Sequence, residues 1–311
     1  MIKVNPGESK WDGTLLSMIG VELGAIMLAI LMMTVGVVIM FAMGGFEENA
    51  DPAIFVIGIL VILLFYTIGL SWASIILVRW DTSHTVISGQ RLQFKGTPVG
   101  FFFNMLKWLF LTMITFGIYG IWMYIKVRQW QIKNVVSYPD GEEKDKVNPG
   151  ESKWDGTLLS MIGVTVRSML TMILAFVAGI AVLVAVIGVE TEPDPVMVLV
   201  GVLVFLALII IGASWASVIL LKWDTSHTVI SGQRLKFNGN TVGLCFNMLK
   251  WLFLTMITFG IYAWWMTIKI RQWQIKNTVS YPDSEGDELP EVKKEEIDED
   301  DGMITFQTVQ D

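Results

Sequence analysis

Long apolar runs alternate with short polar breaks along this chain. The first two, Leu15 to Met43 and Ala53 to Val78, have counterparts at Leu158 to Val189 and Val196 to Leu221. At 1.5 Å per residue each can cross a hydrocarbon core of about 30 Å, which takes roughly 20 residues, so four transmembrane helices are predicted. A third run, Trp108 to Ile125, lies between Lys107 and Lys126 and is interrupted by Gly117 and Gly120; its copy is Trp251 to Ile268. The period changes to two at Val86 and Ile87, then Leu92 and Phe94, around the turn Ser88-Gly89-Gln90. That pattern predicts a β-hairpin over Thr85 to Phe94 and another over Thr228 to Phe237.

The pattern recurs because the chain is written twice. VNPGESKWDGTLLSMIGV at Val4 to Val21 returns unchanged at Val147 to Val164, an offset of 143 that also aligns SWASIILVRWDTSHTVISGQRL with SWASVILLKWDTSHTVISGQRL. Residues 1–140 form one predicted membrane repeat, 141–282 a second, and 283–311 an acidic tail. Composition agrees with a bilayer solvent: 53% of the 311 residues are hydrophobic and 16% charged, where a soluble domain carries about a quarter charged. The net charge of −7 hides a split. From Asp283 to Asp311 twelve acids face Lys293 and Lys294, so the tail is −10 and the body +3. The polar first fourteen residues and the length of the run behind them argue against a cleaved targeting segment.

Lys and Arg decide how the third run is placed. If it crossed, the second repeat would be inverted and the 22 basic residues would divide between the two sides. If it dips and returns, or lies in the interface, all 22 fall on one side, because GGFEENADP and ETEPDP hold none. The positive-inside rule selects the second arrangement. The expectation is an all-α integral membrane protein of the cell's inner (cytoplasmic) membrane, with both termini cytoplasmic. Its two parallel repeats each have two transmembrane helices and a re-entrant or interfacial broken helix, with small cytoplasmic β-hairpins. Trp80, Trp108, Trp122, Trp223, Trp251 and Trp265 are expected at the membrane interface, where an amphipathic ring suits the headgroup level. Gly117 and Gly260 are expected to break the third run.

The segment KWLFLTMITFGIYGIWMYIKVRQWQIKN, with RWDTSHTVISGQRLQFKGT before it, resembles the YjgN-like family of uncharacterised bacterial inner-membrane proteins. Thr115-Phe116-Gly117-Ile118-Tyr119 with Trp122, and Thr258-Phe259-Gly260-Ile261-Tyr262 with Trp265, carry that family's helix-break pattern. The resemblance spans roughly Trp11 to Asn134 and Trp154 to Asn277 and implies topology; the family brings no activity with it.

Candidate chemistry is sparse. His84 and His227 occupy equivalent places in WDTSHTVISGQRL, and with Asp81 and Asp224 they are weak metal candidates. One His and one Asp per repeat fall short of a tetrahedral site, and the bland reading has each His merely opening its hairpin. Cys245, the single cysteine, aligns with Phe102 and reads as a packing position. No nucleophile triad, phosphate loop, H-E-x-x-H or C-x-x-C occurs, so no enzyme and no cofactor are expected. Glu22 and Arg167, a turn or two into their helices, are candidates for an inter-repeat ion pair. Small-residue spacings at Gly20/Gly24, Gly69/Ala73 and Gly212/Ala216 suit close helix packing. In the tail, Met303 to Val309 alternates as a strand, and Ile304 and Phe306 are expected to dock on the edge of a hairpin. The expected function is a structural, oligomerising or complex-anchoring membrane module, membrane-shaping through its one-sided tryptophan-rich segments. The alternative is a pore or small-solute transporter between the repeats. Expected partners are membrane lipids and a second copy or complex partner held through the tail; no nucleic acid is expected.

Overall fold

In the computed structural model, residues 7–47, 51–187 and 194–283 are described. The first half runs β1 (Lys10–Trp11), α1 (Leu15–Ala42), α2 (Pro52–Ser83), β2 (Thr85–Ile87), β3 (Gln90–Phe94), α3 (Pro98–Ile114), α4 (Tyr119–Lys133) and β4 (Val135–Pro139). The second half repeats the order as β5 (Lys153–Trp154), α5 (Leu158–Ile187), α6 (Pro195–Ser226), β6 (Thr228–Ile230), β7 (Gln233–Phe237), α7 (Thr241–Ile257), α8 (Ala263–Lys276) and β8 (Thr278–Pro282). Among the described residues four helices, α1, α2, α5 and α6, are long and apolar enough to cross a membrane.

Local chemistry starts these helices. Asp51 accepts from Ala53 N at 2.8 Å with Pro52 at the first position of α2, and Asp194 and Pro195 do the same for α6. Small residues let the paired helices meet: for α1 and α2 a Cβ on Gly69 would lie 2.9 Å from Met32 Cβ, and for α5 and α6 one on Gly212 would lie 2.5 Å from Ala175 Cβ. Gly20 and Gly24 do not share this role, since both face open space. Among the described residues α1 packs along α2 and α5 along α6, but neither pair packs along the other. Their outward surfaces stay apolar and exposed, from Leu23 and Met27 on α1 to Leu199 and Leu203 on α6.

The small hairpins expected beside the helices are, among the described residues, parts of two antiparallel four-stranded sheets, ordered β1-β2-β3-β4 and β5-β6-β7-β8. The predicted hairpins are present at their centres, with Ser88 (φ 48°) and Gly89 (φ 75°) forming a left-handed two-residue turn. Their edges, however, are not free. β1 pairs with β2 and β4 with β3, so the strands beside each hairpin come from its own repeat. That fills the edges on which the tail had been expected to dock; Ile304 and Phe306 themselves lie outside the described residues.

The third apolar run is two helices. α3 climbs alongside the last turns of α2, with Phe101, Met105 and Trp108 packed among Ile75 and Val78, and α4 returns to β4. Between them Phe116 (φ 50°) and Gly117 (φ 90°) both take left-handed backbone, and Gly117 N donates to Thr112 O at 2.8 Å. Thr115 Oγ1 then accepts from Tyr119 N at 2.9 Å and starts α4. The copy breaks identically at Phe259 and Gly260. Phe116 and Phe259, at the tips, are 98% and 97% exposed. Of the tryptophans expected at the membrane interface, Trp108 and Trp251 are buried against protein, Trp108 in the cluster that includes Ile75 of α2, whereas Trp122 and Trp265 are exposed on the returning helices.

Candidate functional site

The two halves are joined at the sheets, and there each half completes the other. Asp81, near the end of α2, accepts Trp11 Nε1 at 3.1 Å from its own repeat. It also accepts Arg271 Nε at 3.0 Å and Arg271 Nη2, both from α8 of the other repeat. Asp224 repeats the arrangement: Trp154 Nε1 at 3.2 Å, Arg128 Nε at 3.1 Å, and Arg128 Nη2. The two pairs are therefore reciprocal, each Asp held by the opposite repeat's Arg. Their side chains are about one-third exposed. A bidentate, charge-assisted pair at that depth is stronger than a surface bridge and sets orientation as well as proximity.

Four serines close the contact beneath. Ser9 Oγ accepts from Ser88 N at 2.9 Å and donates to Thr278 O at 2.6 Å, so one hydroxyl ties β2's turn to β8. Ser152 Oγ ties Ser231 N to Val135 O in the same way. Ser88 Oγ accepts from Ser280 N, and Ser231 Oγ from Ser137 N, both at 2.9 Å. This accounts for serine, rather than asparagine, at a left-handed turn position: its hydroxyl satisfies a buried N–H across the junction.

Outside the junction each sheet carries an ion cluster. Lys10 Nζ and Arg91 Nε reach Asp140 at 2.9 and 2.7 Å, and Arg91 Nη2 reaches Asp12 at 2.6 Å. The Lys10 ammonium, with Arg91 behind it, holds the Asp140 carboxyl below the usual carboxylate range against the opposing effect of burial. At Asp283 burial pushes upward, but hydrogen bonds from Arg234 and Lys153 prevail and the shift is again downward.

Residues of both halves line a cavity of about 350 Å³. Asp81, Arg128, Gln131 and their counterparts Asp224, Arg271 and Gln274 supply its polar wall, and Ile87, Leu92, Ile230 and Leu235 its apolar one. Leu77 and Leu221, from α2 and α6, also border it, on the side where the two long-helix pairs stand apart.

The residues singled out in the sequence are placed elsewhere. His84 caps the C-terminus of α2, with Nδ1 2.8 Å from Trp80 O and its ring 4.9 Å from that of Trp80; His227 does the same at α6. Both rings serve helix ends, and among the described residues no group of three metal-ligating side chains forms. Glu22 and Arg167 are not paired: Glu22 lies beside Trp11, Trp80 and Arg271, while Arg167 lies beside Lys222 and Trp215. Trp80 and Trp223 are half-buried, edge-to-face on Trp11 and Trp154, so they pack in the junction more than they line a membrane interface.

Sequence reasoning missed the Asp–Arg exchange and the serine contacts. Their one trace is that Asp81, Arg128, Ser9 and Ser88 each recur at the same offset of 143, as do the apolar residues around them.

No curated protein and no solved structure matches the chain. It does match the family described as bacterial protein of unknown function (DUF898), over residues 6–152 and again over 56–299. The chain belongs to that family.

Proposed function

With that membership as the premise, we propose that the protein is a non-enzymatic membrane scaffold that shapes the bilayer from its cytoplasmic side. The observation that carries this reading is the pair of short helical hairpins with exposed phenylalanine tips. From Lys107 to the end of α3 there are seven residues, Trp108 to Ile114, and α4 returns over a similar length to Lys126. At 1.5 Å per residue the tip extends about 10 Å past the lysines, roughly a third of a hydrocarbon core and less than one leaflet. Lysines hold their ammonium groups at the headgroup level, so these tips enter one leaflet and stop. Two such wedges on the same side expand that leaflet relative to the other, and insertions of this depth couple to curvature. In this reading the repeats are parallel, with the sheets and both termini cytoplasmic in an inner membrane. The acidic tail and exposed apolar helix faces are then the places for a second copy or a complex partner.

Reconstitution of the full chain into large vesicles tests the reading. Wild type is expected to give tubes or small vesicles, and F116D/F259D, which alters only exposed tips, vesicles as flat as protein-free controls. Flat membranes with wild type would refute it.

The cavity lined by both halves favours a second reading, a solute site or pore between the repeats. Solute flux in proteoliposomes, lost on substitution of Gln131 and Gln274, would support it. Among the described residues the two long-helix pairs share no extensive packing, which counts against a protein-enclosed pore between them.

A further inference from the structure

We propose that the second repeat carries a binding site for a phosphate group, as found on an anionic lipid, in a groove whose pair of cations the first repeat does not reproduce. The groove has a volume of about 660 Å³ at the sheet-proximal ends of α5 and α6. Its wall includes Arg167, Lys222, Ser160, Ser226, Trp215 and Trp223. Among the described residues, neither Arg167 nor Lys222 has a carboxylate partner or a side-chain hydrogen bond. Two cations left unpaired at the end of membrane helices draw an anion strongly, because the apolar faces around them lower the local dielectric. A phosphate oxygen accepts from guanidinium and ammonium together, while Ser160 and Ser226, which donate to Thr157 O and Trp223 O, line the groove as polar neighbours, and Trp215, 53% exposed, offers an amphipathic ring at the same level.

The first repeat is the internal comparison. Arg167 aligns with Gly24 and Lys222 with Arg79. Arg79 is not free: its Nη2 donates to Gly96 O at 3.1 Å, across the start of α3. The first repeat thus lacks one cation and commits the other to its own backbone, while the second has gained one and released the other. One phosphate site per chain follows.

Native mass spectrometry of the detergent-solubilised full chain tests this, titrating dioleoyl phosphatidylglycerol against dioleoyl phosphatidylcholine, with inorganic phosphate as a competitor. The expectation is one phosphatidylglycerol held through dilution, and binding about tenfold weaker in R167G/K222A, a loss of about 1.4 kcal/mol. R79A is expected to bind as wild type. Resistance to inorganic phosphate assigns the site to lipid, and displacement by it assigns the site to a free phosphate; both keep the proposal. Equal binding of the two lipids, or an unchanged R167G/K222A that still folds by circular dichroism, overturns it. Because this readout is binding and not curvature, flat vesicles would leave it standing.

Discussion

Replacing Asp81 by alanine removes one carboxylate and strands three donors: Trp11 Nε1, Arg271 Nε and Arg271 Nη2. Hydrogen bonds to a charged group are worth about 1.5–3 kcal/mol each when buried, and solvent at one-third exposure screens them toward the lower end. Because the three bonds share one carboxylate and are not additive, and water still reaches the freed guanidinium, the combined loss comes to about 2–3 kcal/mol. At roughly 2 °C per kcal/mol for a chain of this size, the apparent melting temperature should fall by about 5 °C. R271A should cost a similar amount. D81A/R271A should cost clearly less than the two together, because once either partner is gone the second removal relieves a stranded charge. D224A and R128A should repeat the pattern, while K146A, which breaks an exposed ion pair to Glu142, should change nothing measurable. Static light scattering during heating of the purified full chain reads these differences. Single variants that melt like wild type, or a double variant equal to the sum of the singles, would refute the claim that the Asp–Arg exchange holds the repeats together.

Gly150→Ala should destabilise by about 2 kcal/mol or more, read in the same melt, since its φ is +121° and the new Cβ would lie 2.6 Å from the Ser231 carbonyl carbon. Gly117→Ala should cost only about 1 kcal/mol, because its φ of +90° is unfavourable for alanine but the added methyl meets nothing within 4 Å; a larger loss in the melt would mean the tip packs against protein. Ser88→Ala removes the acceptor of the buried Ser280 N–H and should cost about 1–2 kcal/mol, with faster hydrogen exchange at Ser280 as the specific readout. Asp140 and Asp283 sit below their unfolded value of 3.8, so their contribution is present above that pH and lost as pH falls through the folded values. Melting should therefore drop steeply below about pH 4, and D140N/D283N should flatten the drop.

The four long helices and the turn at Ser88-Gly89 were legible in the sequence because each is a local pattern of hydrophobicity or turn chemistry. β1 was not, since two residues carry no period; Lys10 and Trp11 become a strand only when β2 arrives beside them. The junction was illegible for a different reason. Arg271 and Asp81 are 190 residues apart, and nothing local indicates that α8 crosses to the other repeat. Charge alone pointed instead to Glu22 and Arg167, whose depths match but whose helices belong to pairs that stand apart. Trp108 read as an interface residue because composition cannot say which side of α3 faces α2.

Leaflet expansion depends on where the two short helical hairpins end. Nitroxides attached at F116C and F259C, in a C245S background of the full chain in bilayers, report depth through collision with oxygen and with a water-soluble nickel chelate. Both tips are expected within the hydrocarbon of the same leaflet, about 10 Å beyond the level of their flanking lysines and at equal depth. Tips that collide mainly with the chelate, or that lie in opposite leaflets, would contradict the wedge and the parallel repeats together.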